Sequence, residues 1–278
     1  MGVLEFSLIV GVGSLVAGFL GALTGLGGGV VIVPMLSLLL GVDIRYAIGA
    51  SLVSVIATSS GAAAAYVREG ISNIRIGMFL EVATTLGAIA GATLATHIST
   101  GAVSIVFGVV LIGSASLSWK RPAKNASDDS PDALATRLRL NGSFPEGSDI
   151  RKYNVRRVPL GWGLMFGAGT LSGLLGIGSG AMKVLAMDQA MKIPFKVSTT
   201  TSNFMIGVTA AASAGIYLSR GYIDPGLSMP VMLGVLAGSL LGTRVLVKTH
   251  PKWLRRIFSV VIVALGSEML YKGISGRI

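Results

Sequence analysis

Gly25-Leu26-Gly27-Gly28-Gly29-Val30-Val31-Ile32-Val33-Pro34 interrupts a long apolar stretch, and Gly176-Ile177-Gly178-Ser179-Gly180 interrupts another at a displacement of 151 residues. Glycine lacks a Cβ and has a poor helix propensity, so each cluster reads as a break in a helix. The apolar stretches that follow, 30–41 and 181–191, are near half the roughly 20 residues that a bilayer-spanning helix needs. Pro34 suits the first turn of a restarted helix, where its missing N–H costs little. Thr24 stands just before the first break, placed to cap or to bind.

The register of the two breaks extends outward without a gap over about 70 residues. At the same displacement Arg45 falls on Lys196, Ser51 on Ser202, Tyr66 on Tyr217 and Gly70 on Gly221. Met78 falls on Met229, Gly87 on Gly238, Gly91 on Gly242 and, further on, Phe107 on Phe258. Glycines alone could coincide in a chain with 39 of them, but the other matches in one register mark an internal duplication. Repeats with paired interrupted helices are a feature of secondary transporters, with the site near the midplane where the repeats meet.

Around the breaks the chain has a membrane protein's composition: 52% hydrophobic and 13% charged residues, with a mean hydropathy of +0.75. Further apolar stretches fall at 3–23, 46–67, 74–96, 101–118, 160–175, 197–219, 226–247 and 253–272. Abundant glycine with 6% aromatics argues for closely packed helices over an aromatic-girdled barrel. The stretch from Val3 lacks a basic leader and a cleavage site and reads as a retained helix. The expected fold is all-α: a polytopic membrane protein of two repeats, about five helical segments each, with one glycine-broken short helix per repeat. Residues 1–118 form the first repeat and 159–278 the second. Between them 119–158, with nine basic and five acidic residues and several prolines, reads as a charged, partly disordered linker.

The net charge of +11 lies mostly in connecting segments and reads as a topology signal, with no nucleic-acid partner. If each short stretch returns as its own leg, the repeats are inverted and one side carries 17 basic residues against four. If each long and short pair crosses once, the repeats are parallel and the split falls to 14 against seven. The positive-inside rule favours inversion, with a cytoplasmic linker and both termini outside.

Lys183 is the strongest single signal. A lysine inside an apolar stretch costs about 2.5–3.5 kcal/mol on insertion scales, so it faces a cavity, a carboxylate or a substrate. It follows a glycine break at the start of a short helix, where free N–H groups and the helix dipole already favour an anion. The alternative is an ion pair with Glu81 or Asp188, or a lysine snorkelling to the interface. The equivalent of Lys183 in the first repeat is Ile32, so an anion site here is asymmetric.

Ser198-Thr199-Thr200-Thr201-Ser202-Asn203 puts hydroxyls and an amide on every face of a helix start, so some must meet protein, water or substrate. The expected shell is Lys183 with the backbones of Gly27, Gly28, Gly29, Gly178, Ser179 and Gly180, and with Ser51, Thr201, Ser202 and Asn203. Glu81, among apolar neighbours, is the candidate for a coupling proton or for neutralising Lys183. Arg45 and Lys196 stand at equivalent positions, suited to basic entrances or to headgroup anchoring. His97 and His250 are too few for a metal site, and with no cysteine the chain has neither a thiolate nucleophile nor a Cys-based metal site. No cofactor or catalytic residue is expected, and the rivals to a carrier are an anion channel or a receptor on the same scaffold.

The run Gly25-Leu-Gly-Gly-Gly-Val-Val-Ile-Val-Pro34 resembles the signature of the sulfite exporter TauE/SafE family, and Gly176-Ile-Gly-Ser-Gly with Lys183 resembles its second copy. Thr201-Ser-Asn-Phe-Met-Ile-Gly-Val-Thr-Ala-Ala-Ala-Ser-Ala-Gly215 also looks like a branch of that family. The resemblance implies an inner-membrane transporter, often an exporter, of sulfite, sulfoacetate, thiosulfate or related organosulfonates. Ser179 stands where the second motif usually has glycine, and the charged linker is not typical of the family.

Overall fold

The computed structural model describes residues 2–24, 28–68, 72–119, 132–146, 149–246 and 251–276. The apolar stretches become helices within a few residues of the expected bounds. In the first repeat α1 (Val3–Thr24) leads to the break, and α2 (Gly29–Pro34) continues as a π-helical turn, Met35–Leu39. α3 (Ile44–Arg68), α4 (Ile74–His97) and α5 (Thr100–Trp119) complete it. A short α6 (Ala133–Arg137) and the antiparallel hairpin β1 (Gly142–Glu146) and β2 (Asp149–Tyr153) follow. The second repeat comprises α7 (Val158–Leu175), α8 (Gly180–Leu185) with its π turn Ala186–Ala190, α9 (Phe195–Ser219), α10 (Pro225–Leu246) and α11 (Pro251–Ser275). Prolines at the starts of α7, α10 and α11 fill first-turn positions where no N–H partner is lost.

Among the described residues four helices, α1, α4, α7 and α10, are long and apolar enough to cross a membrane. They pack as two equivalent pairs, α1 on α10 and α4 on α7. The crossings run glycine to backbone. Gly18 abuts Val235 where its equivalent Gly169 abuts Thr84, and Gly238 abuts Leu15 and Phe19 where Gly87 abuts Phe166 and Thr170. Positions rise together along both chains in each pair, so α1 runs parallel to α10 and α4 to α7.

The helices that pair with their own equivalents run the other way. Gly49 of α3 lies against Tyr222, just past α9, while Ser59 lies against Gly207. In the α5–α11 pair Gly101 meets Gly273 and Gly108 meets Gly266 and Leu270. Equivalent helices that run antiparallel require a pseudo-two-fold axis perpendicular to them, and therefore inverted repeats. A pair of parallel repeats would set α3 and α9 side by side in the same direction.

The second half of the linker is folded. Leu140, Phe144 and Val155 are buried with Ile76 and Leu80 of α4 and with Met187 and Met191 beyond α8, in a hydrophobic cluster separate from the central one. Asp132 caps α6 by accepting from Leu134 N at 2.9 Å, and Asn141 Oδ1 accepts from Val155 N at 2.9 Å. Residues 132–146 and 149–157 thus form a cap over one end of the bundle, where the composition suggested partial disorder. Leu140, Phe144 and Val155 face the helices, while Leu134, Leu138 and Ile150 are exposed with the charged side chains on its outer face.

Candidate functional site

The two breaks meet. A Cβ placed on Gly29 would lie 2.9 Å from Gly176 O and 2.6 Å from Ser51 Oγ, so only hydrogen fits there. On the second side Gly176 (φ 67°), Gly178 (φ 69°) and Ser179 (φ 44°) are left-handed, which turns the chain sharply from α7 into α8. Ser51 and its equivalent Ser202 both brace this junction. Ser51 Oγ donates to Gly176 O at 2.7 Å, and Ser202 Oγ donates to Gly180 O at 3.2 Å. Their hydroxyl protons thus hold backbone carbonyls of the break. Gly28 is buried at the start of α2, and Gly27 lies outside the described residues.

Lys183 lies one turn into α8 and is 0% exposed. Its Nζ donates to Thr209 Oγ1 of α9 at 2.5 Å, and Thr209 Oγ1 donates to Glu81 Oε1 of α4 at 2.7 Å. Thr85 Oγ1 also donates to Glu81 Oε1, at 3.2 Å. The ammonium and the carboxylate are therefore joined through a threonine hydroxyl. Glu81 is 8% exposed, and its Oε2 is buried without a hydrogen-bond partner among the described residues. Ser179 Oγ, in the break one turn before Lys183, is likewise buried and unpartnered. Unsatisfied buried oxygens are costly, and both stand beside the one buried lysine among the described residues.

The polar run on α9 is divided among several tasks. Thr200 Oγ1 donates to Lys196 O and Val197 O of its own helix, while Thr201 Oγ1 accepts from Asn73 N at 3.1 Å, near the cap. Asn203 is half-buried. Thr201 thus links the start of α9 to the start of α4. Thr209 lies within the family-like run Thr201–Gly215 but is not singled out there, and a second signal that could have found it is its match to Thr58 at the displacement of 151. In the first repeat the positions of Lys183, Thr209 and Glu81 are held by Ile32, Thr58 and, reciprocally, Met232, so the charged group exists once.

Arg45 ties loops together: its Nη2 donates to Ile98 O at 2.9 Å, and its guanidinium lies 5.6 Å from the Tyr222 ring centre. Lys196, its equivalent, is exposed. His97 is exposed and contacts Thr93 O, and His250 lies outside the described residues.

The family model described as sulfite exporter TauE/SafE matches residues 10–269. A probable membrane transporter protein, YunE of Bacillus subtilis, is 28% identical over 98% of this chain and 99% of its own. A second from the same organism, YdhB, is 27% identical over 83% of this chain and 84% of its own. A probable membrane transporter protein of Xylella fastidiosa is 24% identical over 96% of each chain. No solved structure matches this chain.

Proposed function

Because the chain belongs to the sulfite exporter TauE/SafE family of multi-pass membrane transporters, we propose that its cargo is a small sulfur-containing anion such as sulfite, sulfoacetate or another organosulfonate. Lys183 supplies the charge, and the leading N–H groups of α2 and α8, ahead of Val31 and Lys183 whose own N–H groups already donate to Gly28 O and Ser179 O, supply donors. Gly28, Gly29, Gly178 and Gly180 let the two breaks pack tightly against their neighbours, and the buried Ser179 hydroxyl, with no hydrogen-bond partner among the described residues, is a further donor. Ser51 and Ser202 shape the junction, and Asn203 completes the shell.

The observation that carries this reading is a fully buried lysine beside the meeting point of two broken helices, bound to its carboxylate only through a hydroxyl. Thr209 takes one of the ammonium's three N–H donors. An arriving oxyanion draws Lys183 away from Thr209 and leaves Glu81 without its countercharge. Glu81 then takes up a proton, which couples anion to proton movement, and the two repeats expose the buried site to either side in turn. The linker lies in the cytoplasm and the termini outside the inner membrane, as the 17 to four division of basic residues favours.

A ligand that binds the folded protein raises its melting temperature. One of sulfite, sulfoacetate or thiosulfate, but not chloride, is expected to stabilise the purified protein and to leave Lys183→Ala unmoved. Equal stabilisation of both proteins would make the lysine structural, and no stabilisation by any of them would exclude this cargo class. For coupling, a transport-competent Glu81→Gln protein is expected to lose the wild-type pH dependence of efflux from proteoliposomes. An unchanged profile would remove Glu81 from the mechanism.

A further inference from the structure

Between the cap and the first turn of α4 lies a cleft of about 280 Å³, close to the roughly 300 Å³ at which small-ligand pockets begin. It lies at the capped end, with Arg75 and Arg139 at its walls and Ser72, Asn73, Asn141 and Tyr153 between them. No carboxylate is among the described residues that line it. Neither guanidinium has a hydrogen-bond or ion-pair partner among the described residues, and both are exposed. Ser72 Oγ is buried with no hydrogen-bond partner among the described residues. Asn141 accepts from Val155 through Oδ1, and its amide N–H groups have no partner among the described residues. Tyr153 OH accepts from Asn73 Nδ2 at 2.8 Å and keeps its own proton to give, since burial holds the phenol above its ordinary range. Arg139, at φ 52°, is the left-handed residue that ends α6, where Leu140 N donates to Ala135 O at 2.9 Å, and this turn carries its side chain to the cleft.

We propose that this cleft binds a phosphate group, gripped by Arg75 and Arg139, at a site separate from Lys183. Two guanidiniums with uncharged donors between them match a tetrahedral dianion, which accepts paired N–H bonds from arginine. The site is wired to the transport helices. Asn73 caps α4 by accepting from Ile76 N at 3.1 Å, donates to the cap at Tyr153 OH and Leu140 O, and gives its backbone N–H to Thr201 of α9. A phosphate here therefore fixes the cap on the start of the helix that carries Glu81. Its source is either a soluble phosphate compound or the headgroup of a lipid at the membrane surface.

The test titrates the purified full-length protein in neutral detergent with sodium phosphate, against sodium chloride at matched ionic strength. Phosphate is expected to raise the melting temperature saturably in wild type and equally in Lys183→Ala, which separates this cleft from the cargo site. Arg75→Gln/Arg139→Gln is expected to melt like wild type without phosphate and to need at least tenfold more phosphate for the same shift. Ser143→Glu, which adds a negative charge to the lining, is the second variant and is expected to weaken the response likewise. A parallel titration with dihexanoyl phosphatidic acid distinguishes the sources. An arginine-dependent response to inorganic phosphate points to a soluble ligand, and one confined to the phosphatidic acid points to a headgroup. No response to either compound, or an equal response in wild type and both variants, overturns the proposal.

Discussion

At Lys183 a charge is held in an apolar setting by a hydroxyl and a carboxylate that the chain brings from two other helices. Removing one partner of such a group strands the other, at about 3–5 kcal/mol. Glu81→Gln and Lys183→Met are each expected to lower the melting temperature, and the double variant to regain most of the loss; additive losses in thermal unfolding would show the pair uncoupled. Ser179 carries a second, smaller strain. An L-residue in the left-handed region costs roughly 1–2 kcal/mol, so Ser179→Gly is expected to raise stability by about 1 kcal/mol and to weaken stabilisation by the cargo anion. Lys183, Glu81 and the glycines were legible because each violates the composition around it. Thr209 was not, because a threonine among alanines in a membrane helix is ordinary until the partner helices are placed. Helical rotation divides the α9 polar run: it sends Thr200 to its own backbone, Thr201 to Asn73 and Ser202 to Gly180.

At the scale of the helices, packing depends on glycines facing backbone. Water supplies no hydrophobic drive between helices inside a bilayer, so close approach and dispersion do the work. Gly18 and Gly169 are equivalent, and a Cβ on either would collide with the backbone of the facing helix. Gly18→Ala and Gly169→Ala are therefore expected to destabilise by similar amounts, about 1–3 kcal/mol each, read by thermal unfolding in detergent. A large loss in one and none in the other would break the equivalence. These contacts were half visible in the sequence, since Gly87 and Gly238 already matched in register, but which helix each glycine faces needed the fold. The cap was hidden for the opposite reason. Its charge density resembles that of an unfolded segment, while its core is a handful of residues such as Leu140, Phe144 and Val155.

For the whole molecule, the capped end and the end with the two termini are opposite faces. With no native cysteine in the chain, single cysteines can map them directly. A membrane-impermeant maleimide is expected to label Ser99→Cys and Ser275→Cys in intact cells, and Ser143→Cys only after permeabilisation; the reverse pattern would invert the proposed orientation. The basic residues foretold the inversion, because counting them on either side distinguishes the two arrangements. The antiparallel run of α3 against α9 has a historical corollary. Two descendants of one gene can face each other this way in a bilayer only if one inserts upright and the other upside down. The undivided ancestor must then have entered the membrane in both orientations, pairing as an inverted dimer. The lopsided distribution of lysine and arginine is the mark left when fusion froze each half into a single orientation, and the single copy of Lys183 shows that the halves then diverged.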